Sequence, residues 1–101
     1  NADRTGSVGD YIKNNKMSEV ILVDSETGET PENMEWLYNE CNGKMLVNIL
    51  YYSYDEESDR TFEILYNGKE IVTAKELRSG KTFQTPYTVT PYEPILLEFE
   101  M

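Results

Sequence analysis

The chain has 101 residues, 19 of them Asp or Glu against nine Lys or Arg, with no histidine and a net charge of -10. That length fits one domain, large enough to bury about two-thirds of its unfolded surface around one core without staples. The charge repels nucleic-acid backbones and anionic membranes, and no apolar run approaches the ~18 residues of a membrane span.

Without histidine the commonest general base and the usual activator of a Ser or Cys nucleophile are missing, so no enzyme is expected. Cys41 stands alone, which excludes an intramolecular disulfide, and reads as a small buried hydrophobe. The charge is uneven. Between Met17 and Gly43 there are seven acids and no Lys or Arg, which predicts a negative patch.

Residues 1–9 are polar with two glycines and read as a flexible leader, ahead of a single domain over 10–101. The opening at Asn1 reads as that of a trimmed or mature fragment, with any targeting segment upstream. Asp10 suits the N-cap of one helical turn reaching Lys16. Val20-Ile21-Leu22-Val23 is β-branched and continuous, a strand covered on both faces. Ser25-Glu26-Thr27-Gly28 follows as a turn.

A short helix is predicted near residues 31–42. Thr30 suits its N-cap, Pro31 its first position, and Gly43 its left-handed end. Met34, Leu37, Tyr38 and Cys41 fall at i, i+3, i+4 and i+7 on one face. Trp36 lies off that stripe, at its edge or exposed.

From Lys44 onward the period changes to two. Met45, Val47, Ile49 and Tyr51 alternate with Leu46, Asn48, Leu50 and Tyr52, so this strand is expected to be central and packed on both sides at one end. A charged loop over 55–59 leads to a strand with Phe62, Ile64 and Tyr66 on one face. Asn67-Gly68 is a type I′ hairpin signal, after which Lys69–Ala74 pairs back. Ser79-Gly80 marks another turn, and Pro86 and Pro91 confine the next strands to a sheet edge or a bend. Ile95, Leu97, Phe99 and Met101 point inward in the last strand.

The fold class expected is therefore mainly β: a small antiparallel two-sheet sandwich of the immunoglobulin-like kind, with the one helix inserted early. The segments Ser79-Gly80-Lys81-Thr82-Phe83, Tyr87-Thr88-Val89-Thr90-Pro91 and Leu97-Glu98-Phe99 resemble the last hairpins of bacterial surface sandwich modules.

Eight tyrosines are the notable surface chemistry. Tyrosine joins a flat apolar face to a polar tip and suits sugar rings and protein partners, although strand propensity also favours it. Trp36, Tyr54, Tyr66, Tyr87 and Tyr92 are the contact candidates. Asp55, Glu57 and Asp59 crowd one loop with hard oxygen ligands for Ca2+. Their spacing is not that of an EF-hand, and a solvated hairpin tip accounts for them, so neither a metal nor a cofactor is expected.

Two functions fit. One is a non-catalytic binding or structural module of a secreted or cell-envelope bacterial protein, touching a glycan or another protein through surface tyrosines and inserting in no membrane. The other is an acidic inhibitor or decoy that binds a basic protein surface. Neither involves nucleic acid.

Overall fold

The computed structural model describes residues 19–52 and 58–101. The leader, the Asp10–Lys16 turn, Tyr54, Asp55 and Glu57 lie outside the described residues. Nine strands run in chain order: β1 (Val20–Asp24), β2 (Met34–Cys41), β3 (Lys44–Tyr51), β4 (Arg60–Tyr66), β5 (Lys69–Glu70), β6 (Thr73–Glu76), β7 (Lys81–Gln84), β8 (Tyr87–Val89) and β9 (Ile95–Glu100). They form two antiparallel sheets packed face to face. One has the order β1-β4-β5, with β8 also on β4; the other has the order β2-β3-β9-β6-β7.

The predicted helix is absent, and its residues form β2. Met34, Trp36 and Tyr38 turn toward the core while Glu35, Leu37 and Asn39 turn outward, a period of two hidden beneath the 3.6 pattern. Leu37 and Cys41, needed for the helical stripe, are exposed, so Cys41 is not the buried hydrophobe expected. The turn decides the matter. Asn42 and Gly43 have φ of 52° and 80°, and Cys41 pairs with Lys44 across them. This is a second type I′ hairpin, built on the same dipeptide as Asn67-Gly68. Pairing with β3 runs the whole length of β2 and satisfies the backbone groups of alternate residues, a tertiary gain that outweighs the marginal propensity of a three-turn helix.

The core holds Val20 and Leu22 from β1, Met45, Val47, Ile49 and Tyr51 from β3, Phe62 and Ile64 from β4, and Leu97 and Phe99 from β9. These are the inward sets expected for β3, β4 and β9, except that Tyr66 and Ile95 are half-buried and Met101 is exposed. Two strands expected to be covered on both faces are covered on one. Ile21 is 38% exposed beside a fully buried Leu22, and Leu46 and Leu50 of β3 are half-buried on the outer face.

Chain 69–89 crosses between the sheets twice. Lys69 and Glu70 pair with β4, but from Thr73 the chain pairs with β9 in the other sheet. It returns at Thr85-Pro86, a cis peptide bond between β7 and β8. The two crossings are tied together. Thr85 N donates to Val72 O (2.9 Å) and Tyr87 Oη donates to Ile71 O (2.8 Å). Proline at such a corner costs no ladder hydrogen bond.

Candidate functional site

The tyrosine candidates separate by burial. Tyr87 is 1% exposed, its ring stacks on Phe62 at 5.6 Å, and its hydroxyl holds the sheet crossing at Ile71. Burial, reinforced by the charge of Glu70, pushes its pKa up to about 12. Tyr87 is therefore an internal brace with no ring face for a ligand. Tyr66 is half-buried and meets Phe99 edge-on at 5.6 Å. Trp36 lies between the layers and donates its indole N–H to Val20 O at 3.2 Å, which joins β2 of one sheet to β1 of the other. Tyr92 alone of the described tyrosine candidates is well exposed, at 58%. Asp59 is exposed, and among the described residues no cluster of three Cys, Asp or Glu side chains is placed to hold a metal ion.

Tyr92 stands at the lip of a groove of about 570 Å3 at one end of the sandwich. One wall is the β6–β7 turn with Arg78, Ser79 and Lys81; the other is the β8–β9 loop with Tyr92 and Glu93; Thr88 and Thr90 line it between. Local hydrogen bonds fix both walls. Tyr92, with φ of 64°, donates its N–H to Tyr51 O at 2.7 Å. The Arg78 guanidinium bonds Pro94 O at 2.6 Å and ties one wall to the other. Glu76 beneath them is 3% exposed and accepts from Ser79 N (2.7 Å) and Leu96 N (2.9 Å). Burial alone would raise the Glu76 carboxyl, but these bonds outweigh it and hold the pKa below the ordinary 4.5. Glu76 is thus an ionised fastener of the groove wall.

Asp24 is the other buried carboxylate. It accepts from Arg60 Nη1 (2.8 Å), Glu26 N (2.7 Å) and Thr27 N (3.3 Å). Arg60 also donates to Tyr51 Oη (3.3 Å) and lies over the Tyr51 ring. Every acceptor bond on these two carboxylates comes from the fold itself, so their role is to fasten turns.

A second groove, of about 540 Å3, runs along β2 and is lined by Met34, Glu35, Trp36, Leu37, Asn48 and Leu50. Leu37 is 77% exposed there. In the outer-face lattice Leu37 pairs with Asn48, which pairs with Leu96, and Glu35 pairs with Leu50. The leucines on this face were not among the sequence candidates. Their signal was the second apolar set of β3, Leu46 and Leu50.

The first groove offers the Tyr92 ring, three hydroxyls (Ser79, Thr88, Thr90), two cations and the Glu93 carboxylate in a volume typical of small-ligand sites. That chemistry suits a polar ring or a carboxylate-bearing ligand. Among the described residues no helix is long and apolar enough to cross a membrane. No protein-family model matches the chain, and no curated protein or solved structure is significantly similar to it.

Proposed function

We propose that this chain is a non-catalytic binding module of a secreted or cell-envelope bacterial protein and that it grips a glycan in the groove beside Tyr92. The carrying observation is the exposed Tyr92 ring, on a loop pinned to Tyr51 O, beside Arg78, Lys81, Thr88 and Thr90. A stacked aromatic with flanking hydrogen-bond groups is how a flat sugar ring is held. In the same reading the sandwich is of the immunoglobulin-like kind. Two antiparallel layers about one core support that; the two crossings over 69–89 are the feature such an assignment must accommodate.

Glycan-array screening followed by calorimetry on a positive glycan tests the reading. Tyr92→Ala is expected to weaken binding by about tenfold, as loss of an aromatic contact of about 1–1.5 kcal/mol requires. Unchanged affinity in Tyr92→Ala, or an array with no positive glycan, refutes it.

A specific observation also favours the second reading, an acidic protein that binds a basic surface. Glu19, Glu26, Glu29, Glu32, Glu35 and Glu40 are all exposed, in a segment with no Lys or Arg. Asp24, the seventh acid, is paired with Arg60. Association by that side would weaken steeply with salt.

A further inference from the structure

Strand β2 is the outermost strand of its sheet, paired with β3 and with no other described strand. Its open side can be read residue by residue. Tyr52 N donates to Asn33 O at 2.8 Å, so the odd-numbered residues direct their N–H and C=O at β3. Met34, Trp36, Tyr38 and Glu40 therefore direct theirs outward. Among the described residues, no backbone group pairs with Met34, Trp36 or Tyr38 on that side.

Other edges are blunted, as natural sandwiches require. On β1 the Val20 carbonyl is taken by the Trp36 indole, and Asp24 bonds Glu29 O and Gly28 N. β7 has four residues and runs into Pro86. β2 has eight residues, no proline within it, and no lysine. It also has the groove of about 540 Å3 alongside, with Leu37 standing out of it.

We propose that the open edge of β2 accepts a cationic, extended segment of another protein as an added antiparallel strand. The proposal rests on the acidic-surface reading above and supplies its contact. The row of outward backbone groups selects an extended chain. Leu37 takes an apolar side chain of the incoming strand, and Glu35, on the same face, takes a Lys or Arg two residues away. Charge selects the occupant. The whole 19–43 segment carries acids without a single base, so a second copy would bring like charge against like, whereas a Lys-rich strand is attracted.

The test uses the 101-residue chain and an end-blocked peptide of alternating Lys and Val, as long as β2. Peptide anisotropy reads affinity, and amide hydrogen exchange by NMR reads location. Binding is expected to fall steeply with salt and to protect the amides of Met34, Trp36, Tyr38 and Glu40, while those of Glu35 and Leu37 change little. Glu40→Pro removes one outward N–H without touching the β3 ladder and is expected to weaken binding roughly threefold to tenfold. Glu35→Lys, at an exposed position, is expected to weaken it by a similar factor and to flatten the salt dependence; it keeps the test decisive if Glu40→Pro fails to fold. A proline-interrupted peptide of the same charge is expected not to bind. Equal, salt-sensitive binding of both peptides without protection of those amides overturns strand addition while leaving the acidic-surface reading standing. Failure of both peptides to bind overturns the two together. Concentration-dependent protection of the same amides without peptide assigns the edge to a second copy and overturns the cationic occupant.

Discussion

Arg60→Met removes a guanidinium from the one ion pair that reaches the interior among the described residues. The methionine keeps the aliphatic stem, so what is lost is the guanidinium with its contacts to Asp24 and Tyr51. Asp24 would remain 1% exposed, with two N–H donors from Glu26 and Thr27 and no cation. The Arg60 Nη1–Asp24 bond at 2.8 Å is charge-assisted and contributes about 1.5–3 kcal/mol. The guanidinium over the Tyr51 ring at 5.4 Å adds about 0.5–1 kcal/mol. Together they come to about 2–4 kcal/mol, a range that contains the about 3 kcal/mol lower bound for breaking a buried pair on one side. At a urea slope of about 1.5 kcal/mol per M, the unfolding midpoint at pH 7 should fall by about 2 M. Trp36, the single tryptophan, bridges the sheets and reports the transition by fluorescence. The pH dependence is a second check. Burial pushes the Asp24 carboxyl up, but bonds from Glu26, Arg60 and Thr27 prevail and hold its pKa below the ordinary 3.8. A depressed carboxyl contributes stability above its unfolded value and loses it as pH falls through the folded one. The gap between wild type and Arg60→Met should therefore be full at pH 7 and close below pH 3.8. A midpoint at pH 7 within about 0.3 M of wild type would refute the reasoning.

Glu76→Gln puts an amide where two backbone N–H groups need acceptors, and it should cost about 1–3 kcal/mol in thermal unfolding. Because the Glu76 pKa lies below 4.5, the variant should also lose stability less steeply than wild type as pH falls through the acid range. Gly43→Ala meets no atom within 4 Å of the new Cβ, so its cost is that of the backbone at φ of 80°, about 1–2 kcal/mol by urea titration. A helix ending at Gly43 and the hairpin turn both predict that loss, but only the hairpin predicts that cross-strand amides at Cys41 and Lys44 lose protection. Tyr87→Phe should cost about 1 kcal/mol through the bond to Ile71 O, while Tyr92→Ala should leave stability within about 0.5 kcal/mol. Spectroscopic titration should find Tyr87 ionising at about pH 12, and Tyr87→Phe should reduce the absorbance change in that range by one tyrosine.

Much of the β architecture is local and can be read from residue order. The inward sets of β3, β4 and β9 follow the two-residue period, and Asn67-Gly68 announces its hairpin. The segment over 34–41 is where local reading fails. Met34, Leu37, Tyr38 and Cys41 satisfy a helical period, Met34, Trp36 and Tyr38 satisfy a strand period, and Thr30-Pro31 resembles a helix start. Asn42-Gly43 was the available arbiter, a turn dipeptide identical to the one at 67–68. Of the site candidates, Tyr92 is exposed as expected, whereas Tyr87 is internal because the chain crosses between sheets at Ile71 and Thr85, a path no residue pattern encodes.

Order along the chain thus sufficed for alternation, turns and charge, since each depends on neighbours a few bonds apart. Tertiary pairing alone decided which of two apolar faces on β3 is covered, that β2 is outermost among the described strands of its sheet, and that Asp24 meets Arg60 across 36 positions of sequence. Those outcomes depend on the free energy of contacts between distant segments, which appear only once both sheets have closed on the same core.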